Sequence, residues 1–339
     1  MKQAAVTGNR QAALVDVRDP KPVKNWALVK VHAAPLCTEF KAFESGTAVS
    51  WPGHEAAGEI VDVAEPGQVK VGDRVVVMPH YSCGTCFYCS SGEFMFCQDK
   101  TDVAEFTGGL EGSATMAQYL LKPDWLLPAI PKGVSYEHAS LACCGLGPTF
   151  GAFERIDLSD VDTLLLTGLG PVGLGGVINA SARGVRVICV EPNPWRASLA
   201  LDLGAETVLD PGEGNTLQQI RDLTDGLGPD KAIDCSGTVA AHRLCIDAVR
   251  PRGIVAFVGE CADKTPVRIS PDMIRTGLTL MGSWHYNLKD FPKVMQTIED
   301  NVEKVKKFIT HTFPFSEIQK AWKAQLSGEC GKIILKPWE

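Results

Sequence analysis

The sequence lacks the surplus of positive charge that nucleic-acid binding requires. Its 33 lysines and arginines are outnumbered by 40 aspartates and glutamates, so the formal net charge is −7. A protein that neutralises backbone phosphates carries an excess of cations instead. Aromatic residues make up only 7% of the chain, whereas it contains 33 glycines. This composition argues against a nucleic-acid partner and favours an α/β enzyme.

Long apolar segments are also scarce. Arg10 and Asp16 interrupt the N-terminal region before an apolar core of a secretory leader can form, so we expect a cytoplasmic protein. The longest run without a charge, residues 163–182, has the length of a membrane span. Glycines and a proline interrupt it, which is more typical of a strand that turns into a helix. We therefore expect no membrane partner.

The length of 339 residues predicts about two domains. Short β-like runs separated by glycine and proline turns fill the first part of the chain, and this pattern indicates an antiparallel β region. These runs are residues 27–33, 58–64, 74–78 and 117–121. The last stretch, residues 290–339, contains two amphipathic helical patterns and a strand at 332–335, and is too short to fold alone. We expect it to return to the first domain.

Strands and helices alternate strictly from Thr163 onward. Helical patterns such as 193–203 and 216–225 separate six apolar strands, which predicts a parallel sheet covered on both faces. The predicted strands are residues 163–166, 185–190, 207–210, 231–234, 254–258 and 278–282. The fold class is therefore α/β with a β-rich second domain. We place one domain at 1–145 and 285–339 and the other, a doubly wound parallel sheet, at 146–284.

A glycine-rich turn follows the first of these strands. Its residues are Gly168, Leu169, Gly170, Pro171, Val172 and Gly173. The glycines permit a tight turn, a close approach to a pyrophosphate and close packing of helix on strand. The helix that follows presents free N–H groups to the phosphates. Glu191 ends the second strand, where a carboxylate binds the adenosine ribose and repels a 2′-phosphate. We therefore predict NAD, although Arg196 nearby is compatible with a phosphate and leaves NADP open.

Four of the 12 cysteines lie in one short segment: Cys83, Cys86, Cys89 and Cys97. Four thiolates close a tetrahedral shell, so this spacing predicts a structural zinc ion. A redox-active pair is the first alternative, but it needs only two of the four. An iron–sulfur cluster is the second, because three close cysteines and a more distant one also suit a cluster.

A second candidate metal site consists of residues far apart in sequence. Pro52 and Gly53 form a turn that presents His54 beside Glu55, and Cys37 and the Cys143–Cys144 pair offer thiolates. Histidine and thiolates that leave one position open are the usual ligands of catalytic zinc. Taken singly, each residue has an ordinary structural explanation, such as a loop histidine or a buried apolar cysteine.

Together, the 53–55 turn, the four-cysteine segment and the late glycine-rich turn resemble the zinc-containing medium-chain alcohol and polyol dehydrogenases, including the threonine and sorbitol enzymes. The resemblance runs from end to end and includes residues 71–75, 203–205 and 331–335. It implies a GroES-like catalytic domain and a Rossmann NAD-binding domain. It also implies one catalytic and one structural zinc ion per chain, and a homodimer or homotetramer.

The resemblance assigns the catalytic zinc ion to Cys37, His54 and Cys144, with Cys143 as an alternative one residue away. Glu55 becomes an exchangeable ligand or a charge behind the metal. The family places a histidine for proton relay five residues after the first cysteine, but this chain has alanine at that position. Thr38 and Glu39 are then the candidates for the relay.

The resemblance implies hydride transfer between a secondary alcohol or polyol and NAD. Ser236, Val258 and Gly259 end two strands and are expected to contact the nicotinamide ribose and ring. Two other functions stay open at this point. One is a threonine-type amino-alcohol dehydrogenase, and the other is a non-enzymatic NAD-binding protein of the same fold, which would hold about one zinc ion per chain.

Overall fold

The computed structural model describes all 339 residues, and they form two compact units. Unit 1 contains residues 1–145, 287–299 and 309–339, and unit 2 contains residues 146–286 and 300–308. The predicted division assigned residues 285–286 and 300–308 to the first domain. The structure places them in unit 2, and residues 302–308 lie there because their helix packs on helices of that unit. None of the helices is long and apolar enough to cross a membrane.

The first part of unit 1 is rich in β structure. In chain order its elements are β1 (Lys2–Gly8), β2 (Gln11–Asp16), β3 (Trp26–Pro35), α1 (Phe40–Ser45), β4 (Ala56–Val63), β5 (Arg74–Val77), α2 (Phe87–Ser91), α3 (Val103–Thr107), β6 (Tyr119–Pro123) and α4 (Tyr136–Ser140). The hairpin β1–β2 is a separate two-stranded sheet. The sequence patterns did not predict this hairpin.

Unit 2 alternates helices and strands as predicted. Its elements are α5 (Gly147–Arg155), β7 (Thr163–Thr167), α6 (Pro171–Ala182), β8 (Arg186–Val190), α7 (Pro194–Leu203), β9 (Thr207–Leu209), α8 (Thr216–Asp222), β10 (Lys231–Asp234), α9 (Val239–Ala248), β11 (Ile254–Phe257) and β12 (Thr279–Gly282). All six strands are parallel, in the order β12-β11-β10-β7-β8-β9. The chain reverses direction across the sheet between β7 and β10, and such a point is where α/β sheets bind ligands.

The C-terminal region contributes to both units. Its elements are α10 (Phe291–Asp300), α11 (Val302–Phe308), β13 (Ile309–Pro314), α12 (Ile318–Ser327) and β14 (Lys332–Lys336). This region has three helices and two strands, whereas two helices and one strand were predicted. β14 pairs with both β13 and β3, so the main sheet of unit 1 has the order β13-β14-β3-β4-β5, with β6 beside β3. The predicted α/β fold with a β-rich second domain is confirmed.

Candidate metal centres and cofactor cavity

The four-cysteine segment folds into a compact cluster. Cys86 immediately precedes α2 and Cys89 lies one turn later, so both thiols face the same side of the helix. The Sγ atoms are 3.5 Å apart for Cys86–Cys89 and 4.0 Å apart for Cys83–Cys89 and Cys86–Cys97. A tetrahedron with Zn–S bonds of about 2.3 Å has edges of about 3.8 Å. The four thiols therefore match the geometry of a closed zinc shell.

Backbone N–H groups stabilise the thiolates of Cys83 and Cys86, whereas burial raises the pKa of the Cys89 and Cys97 thiols. The backbone N–H groups of Cys89 and Gln98 lower the pKa of the Cys86 thiol to about 6. The N–H of Cys86 donates to the Cys83 Sγ at 3.3 Å, and the N–H of Cys83 donates to the Cys97 Sγ at 3.2 Å. All 12 cysteines are free thiols. The four thiols are thus free and close enough together to hold a metal ion.

The second cluster assembles from three distant parts of unit 1. Cys37 follows β3, His54 and Glu55 precede β4, and Cys144 lies in the turn after α4. One ligand atom from each of these four residues lies within 4.8 Å of the others. The His54 Nε2 is 3.2 Å from the Cys144 Sγ. The structure therefore brings together the four residues that were predicted from separate segments.

The neighbouring cysteine points elsewhere. Cys143 is fully buried and its thiol donates to the Val77 carbonyl at 3.2 Å. Burial raises the pKa of the Cys143 thiol, with Glu55 adding to the effect. Cys144, in contrast, directs its Sγ into the cluster. The geometry thus favours Cys144 over Cys143 as the metal-facing residue.

A tight turn fixes the position of His54. Gly53 has a φ of 97°, which side chains other than hydrogen rarely tolerate. A Cβ atom on Gly53 would lie 2.3 Å from the Thr115 Oγ1. The chain can therefore enter β4 at this angle only with glycine, and His54 and Glu55 are held at the start of the strand.

A carboxylate orients the His54 ring. The Glu39 Oε1 lies 2.5 Å from the His54 Nδ1, which leaves the Nε2 to face the thiols. Burial alone would lower the pKa of His54, but the hydrogen bonds and charges of Cys37 and Glu39 raise it to about 11. Thr38, the other candidate for the relay, is exposed. The contact with His54 gives Glu39 an orienting position that the sequence did not predict.

A buried ion pair lies behind the cluster. The Lys332 Nζ is 2.6 Å from the Glu55 Oε1, and both side chains have 0% exposure. The other Glu55 oxygen accepts the N–H of Cys144 at 3.0 Å. Burial raises the pKa of Glu55 to about 7 even though Lys332 opposes the shift. Nothing in the sequence singled out Lys332, because its position depends on the pairing of β14 with β3.

Unit 2 contains a cavity of about 380 Å³ at the C-terminal ends of β7, β8 and β10. This volume is within the usual range of small-molecule pockets. Gly168, Gly170, Glu191, Arg196 and Ser236, all predicted to bind the cofactor, line it. The other lining residues, which the sequence patterns did not single out, are Thr167, Val190, Pro192, Pro211, Cys235, Thr238, Ala240, Ala241 and Leu244.

The glycine-rich turn behaves as its spacing predicts. Gly168 has a φ of 81°, and a Cβ atom on Gly173 would lie 1.9 Å from the Gly168 carbonyl oxygen. Gly170, by contrast, has nothing within 4 Å of a Cβ position, so its backbone is open to a ligand. Pro171 and Val172 begin α6, whose N–H groups face this end of the sheet. The donors suit a pyrophosphate.

Glu191 lies in the cavity wall with both oxygens partly engaged. Its Oε2 accepts the N–H of Leu169 at 2.5 Å, and its Oε1 accepts the N–H of Asn193 at 3.0 Å. Each carboxylate oxygen can accept a further bond from a ribose hydroxyl. The Arg196 Nε is buried without a hydrogen-bond partner in the same wall. Val258 and Gly259 do not line the cavity; their N–H groups donate to the Asp234 carbonyl.

Comparison with known proteins decides the family. The family model "Alcohol dehydrogenase GroES-like domain" matches residues 23–132, and the model "Zinc-binding dehydrogenase" matches residues 171–300. The zinc-type alcohol dehydrogenase-like protein YphC of Escherichia coli K12 is 30% identical, over 99% of this chain and 98% of its own. The chain belongs to the zinc-type medium-chain alcohol and polyol dehydrogenase family. The resemblance noted in the sequence is confirmed.

Other relatives of this zinc-type dehydrogenase are also similar to it over nearly the whole chain. L-threonine 3-dehydrogenase of Pyrococcus furiosus is 30% identical over 95% of this chain and 94% of its own. The fold matches that of alcohol dehydrogenase TADH from Thermus sp. ATN1, with a TM-score of 0.88, 24% identity and 99% of both chains covered. The chain is an oxidoreductase of the alcohol and polyol dehydrogenase class.

Proposed function

We propose that this dehydrogenase transfers hydride between a secondary alcohol or polyol and NAD, with one catalytic and one structural zinc ion per chain. The observation that carries the proposal is the convergence of Cys37, His54, Glu55 and Cys144 within 4.8 Å. Two thiolates and an imidazole are the donors that a catalytic zinc ion uses when it keeps a position for substrate. The separate four-cysteine cluster would hold the structural ion.

A zinc ion in this set supplies Lewis acidity toward an alcohol oxygen, and NAD supplies the hydride acceptor. The chain supplies the positioning. Cys37, His54 and Cys144 offer their donor atoms, and Glu39 fixes the His54 ring so that its Nε2 faces the thiols. Lys332 holds Glu55 by one oxygen and balances its negative charge. The cavity in unit 2 would bind the dinucleotide.

The function is tested with activity and metal content measured on the same preparation. We expect two zinc ions per chain and reduction of NAD by members of a panel of polyols, amino alcohols and simple alcohols. Cys37→Ser and His54→Ala should abolish turnover, lose one zinc ion and retain NADH binding. One zinc ion per chain and no activity with any alcohol would support a non-enzymatic NAD-binding protein instead.

A matched pair of variants tests the ligand set. Cys144→Ala should lose one zinc ion and all turnover, because its thiol faces His54. Cys143→Ala should keep both zinc ions, because its thiol is bonded to the Val77 carbonyl in the core. Loss of zinc from Cys143→Ala alone would reverse the assignment.

A threonine-type activity is a second candidate, because L-threonine 3-dehydrogenases are among the relatives at 30% identity. Sorbitol dehydrogenase of Halalkalibacterium halodurans is 29% identical over 97% of both chains, so identity does not separate the two. Comparison of kcat/KM for L-threonine and for sorbitol separates the two activities.

We also expect the protein to form a homodimer or homotetramer. Sedimentation equilibrium checks this expectation.

A further inference from the structure

A buried hydrogen-bond network lies beneath the cofactor cavity. Asp234 ends β10 with 0% exposure, and its carboxylate accepts five hydrogen bonds. The Oδ1 accepts the Thr167 hydroxyl at 2.8 Å, and the N–H and hydroxyl of Ser236 at 3.1 and 2.6 Å. The Oδ2 accepts the N–H of Gly237 at 2.9 Å. Thr167 and Ser236 line the cavity, so this carboxylate holds part of its wall.

His242, on α9, supplies the fifth bond. Its Nε2 is 3.1 Å from the Asp234 Oδ2, and its Nδ1 is 2.6 Å from the Thr265 Oγ1. With the Nε2–H donating to the carboxylate, the Nδ1 accepts the Thr265 hydroxyl. The ring also packs edge-to-face on Phe257, with centroids 4.9 Å apart. His242 is therefore fixed on three sides and joins β10 to the segment that follows β11.

The turn after β10 and the turn after β11 are packed closely against each other at two glycines. A Cβ atom on Gly259 would lie 2.3 Å from the Gly237 nitrogen, and one on Gly237 would lie 2.3 Å from the Glu260 carbonyl oxygen. Movement of either turn would therefore displace the other. Because close-packed groups transmit such shifts, the bonds of His242 to Asp234 and Thr265 connect the 235–238 turn to the segment that follows β11.

We propose that His242 is a positioning residue for the dinucleotide. It fixes the Asp234 carboxylate and thereby the cavity-lining Thr167 and Ser236, and Thr238 through the Ser236 hydroxyl, although His242 itself does not line the cavity. The inference rests on the proposed use of this cavity by NAD. It predicts an effect on dinucleotide affinity that is separate from any effect on the alcohol.

The test compares zinc-loaded full-length variants by NADH fluorescence titration and steady-state kinetics. His242→Leu leaves a buried carboxylate short of one bond, so we expect the Kd for NADH and the KM for NAD to rise about tenfold. The KM for the alcohol should change less than about twofold. His242→Gln keeps an N–H donor near the Nε2 position and should restore the affinity to within about threefold.

Two further variants complete the design. His311→Leu removes another histidine beside a threonine hydroxyl, in unit 1, and should leave the Kd for NADH unchanged. Thr265→Val removes only the partner of the Nδ1 and should raise the Kd about threefold. This variant keeps the test decisive if His242→Leu does not fold.

The results separate this inference from the proposed function. If the wild type binds NADH but His242→Leu and Thr265→Val bind it equally well, the positioning role is refuted alone. An equal loss of NADH affinity in His242→Leu and His242→Gln, together with a lowered Tm in both, would also refute it, because His242 would then have only a structural role. Failure of the wild type to bind NADH would overturn the proposed function and this inference together.

Discussion

Replacement of Lys332 by methionine should destabilise unit 1 strongly. Lys332 and Glu55 are both fully buried and 2.6 Å apart, so the substitution leaves a buried carboxylate without its counter-charge. Removal of one partner of such a pair costs about 3–5 kcal/mol. The N–H of Cys144 still donates to Glu55 and recovers part of this cost. We therefore expect the free energy of unfolding to fall by an amount near the lower end of this range, about 3 kcal/mol.

The measurement is urea unfolding of the zinc-loaded protein, followed by a probe in unit 1. Lys336→Met is the matched control, since it lies in the same strand and pairs with Glu137 nearer to the surface. Partly exposed pairs contribute about 0–1 kcal/mol, so this variant should unfold close to the wild type. The double variant Lys332→Met/Glu55→Gln should recover much of the stability, because no unpaired charge remains buried.

The zinc content of Lys332→Met shows whether the ion pair is also needed for zinc binding. The donor atoms of Cys37, His54 and Cys144 do not include Lys332, so the variant should still bind two zinc ions when folded. Equal stability of Lys332→Met and Lys336→Met would refute the argument. So would a double variant that is less stable than Lys332→Met, because the cost would then come from lost packing rather than from charge.

Three other predictions concern Glu39, Glu191 and Lys122. Glu39→Gln should weaken zinc binding by about 10–100-fold in chelator competition, because the His54 ring loses its charged partner; unchanged affinity would contradict this. Glu191→Gln should raise the ratio of NADP to NAD use in kcat/KM, because a charge leaves the cavity wall; an unchanged ratio would count against Glu191. Burial lowers the pKa of Lys122 to about 7, below the unfolded value of about 10.4, so stability should rise with pH between these values by up to about 1.4 kcal/mol per unit. Lys122→Met should flatten that rise, and an equally steep profile would disprove it.

Local patterns predicted the parts of the fold that depend on neighbouring residues. The glycine-rich turn, its strand and its helix occur where residues 163–182 indicated. The glycines are required there by the backbone conformation or by close contacts with residues nearby in the sequence. Asn193 likewise caps α7 at its predicted start, with its side chain accepting the N–H of Trp195 and Arg196. The four-cysteine cluster is local in the same sense, because its members share one loop.

Long-range pairing explains what the patterns could not predict. β13 was missed because its burial is only partial, and it forms a strand by pairing with β14. α11 belongs to unit 2 although its neighbours on both sides in the sequence belong to unit 1. The choice of Cys144 over Cys143 depends on the direction of two adjacent side chains in a turn. No periodicity in the sequence encodes that direction.

The clearest departure from the family pattern is the alanine five residues after Cys37. Ala42 lies inside α1, where its carbonyl accepts the N–H of Gly46, so this position offers no group that exchanges protons. Glu39, a partly buried carboxylate in the same segment, bonds to the His54 Nδ1 and thereby orients a ring that faces the thiols. Its Oε1 is engaged by the ring and its Oε2 is buried without a hydrogen-bond partner, so Glu39 makes no contact that leads a proton to solvent. The relay role that the sequence suggested for Glu39 therefore conflicts with this contact, and the geometry favours orientation of His54 over proton release.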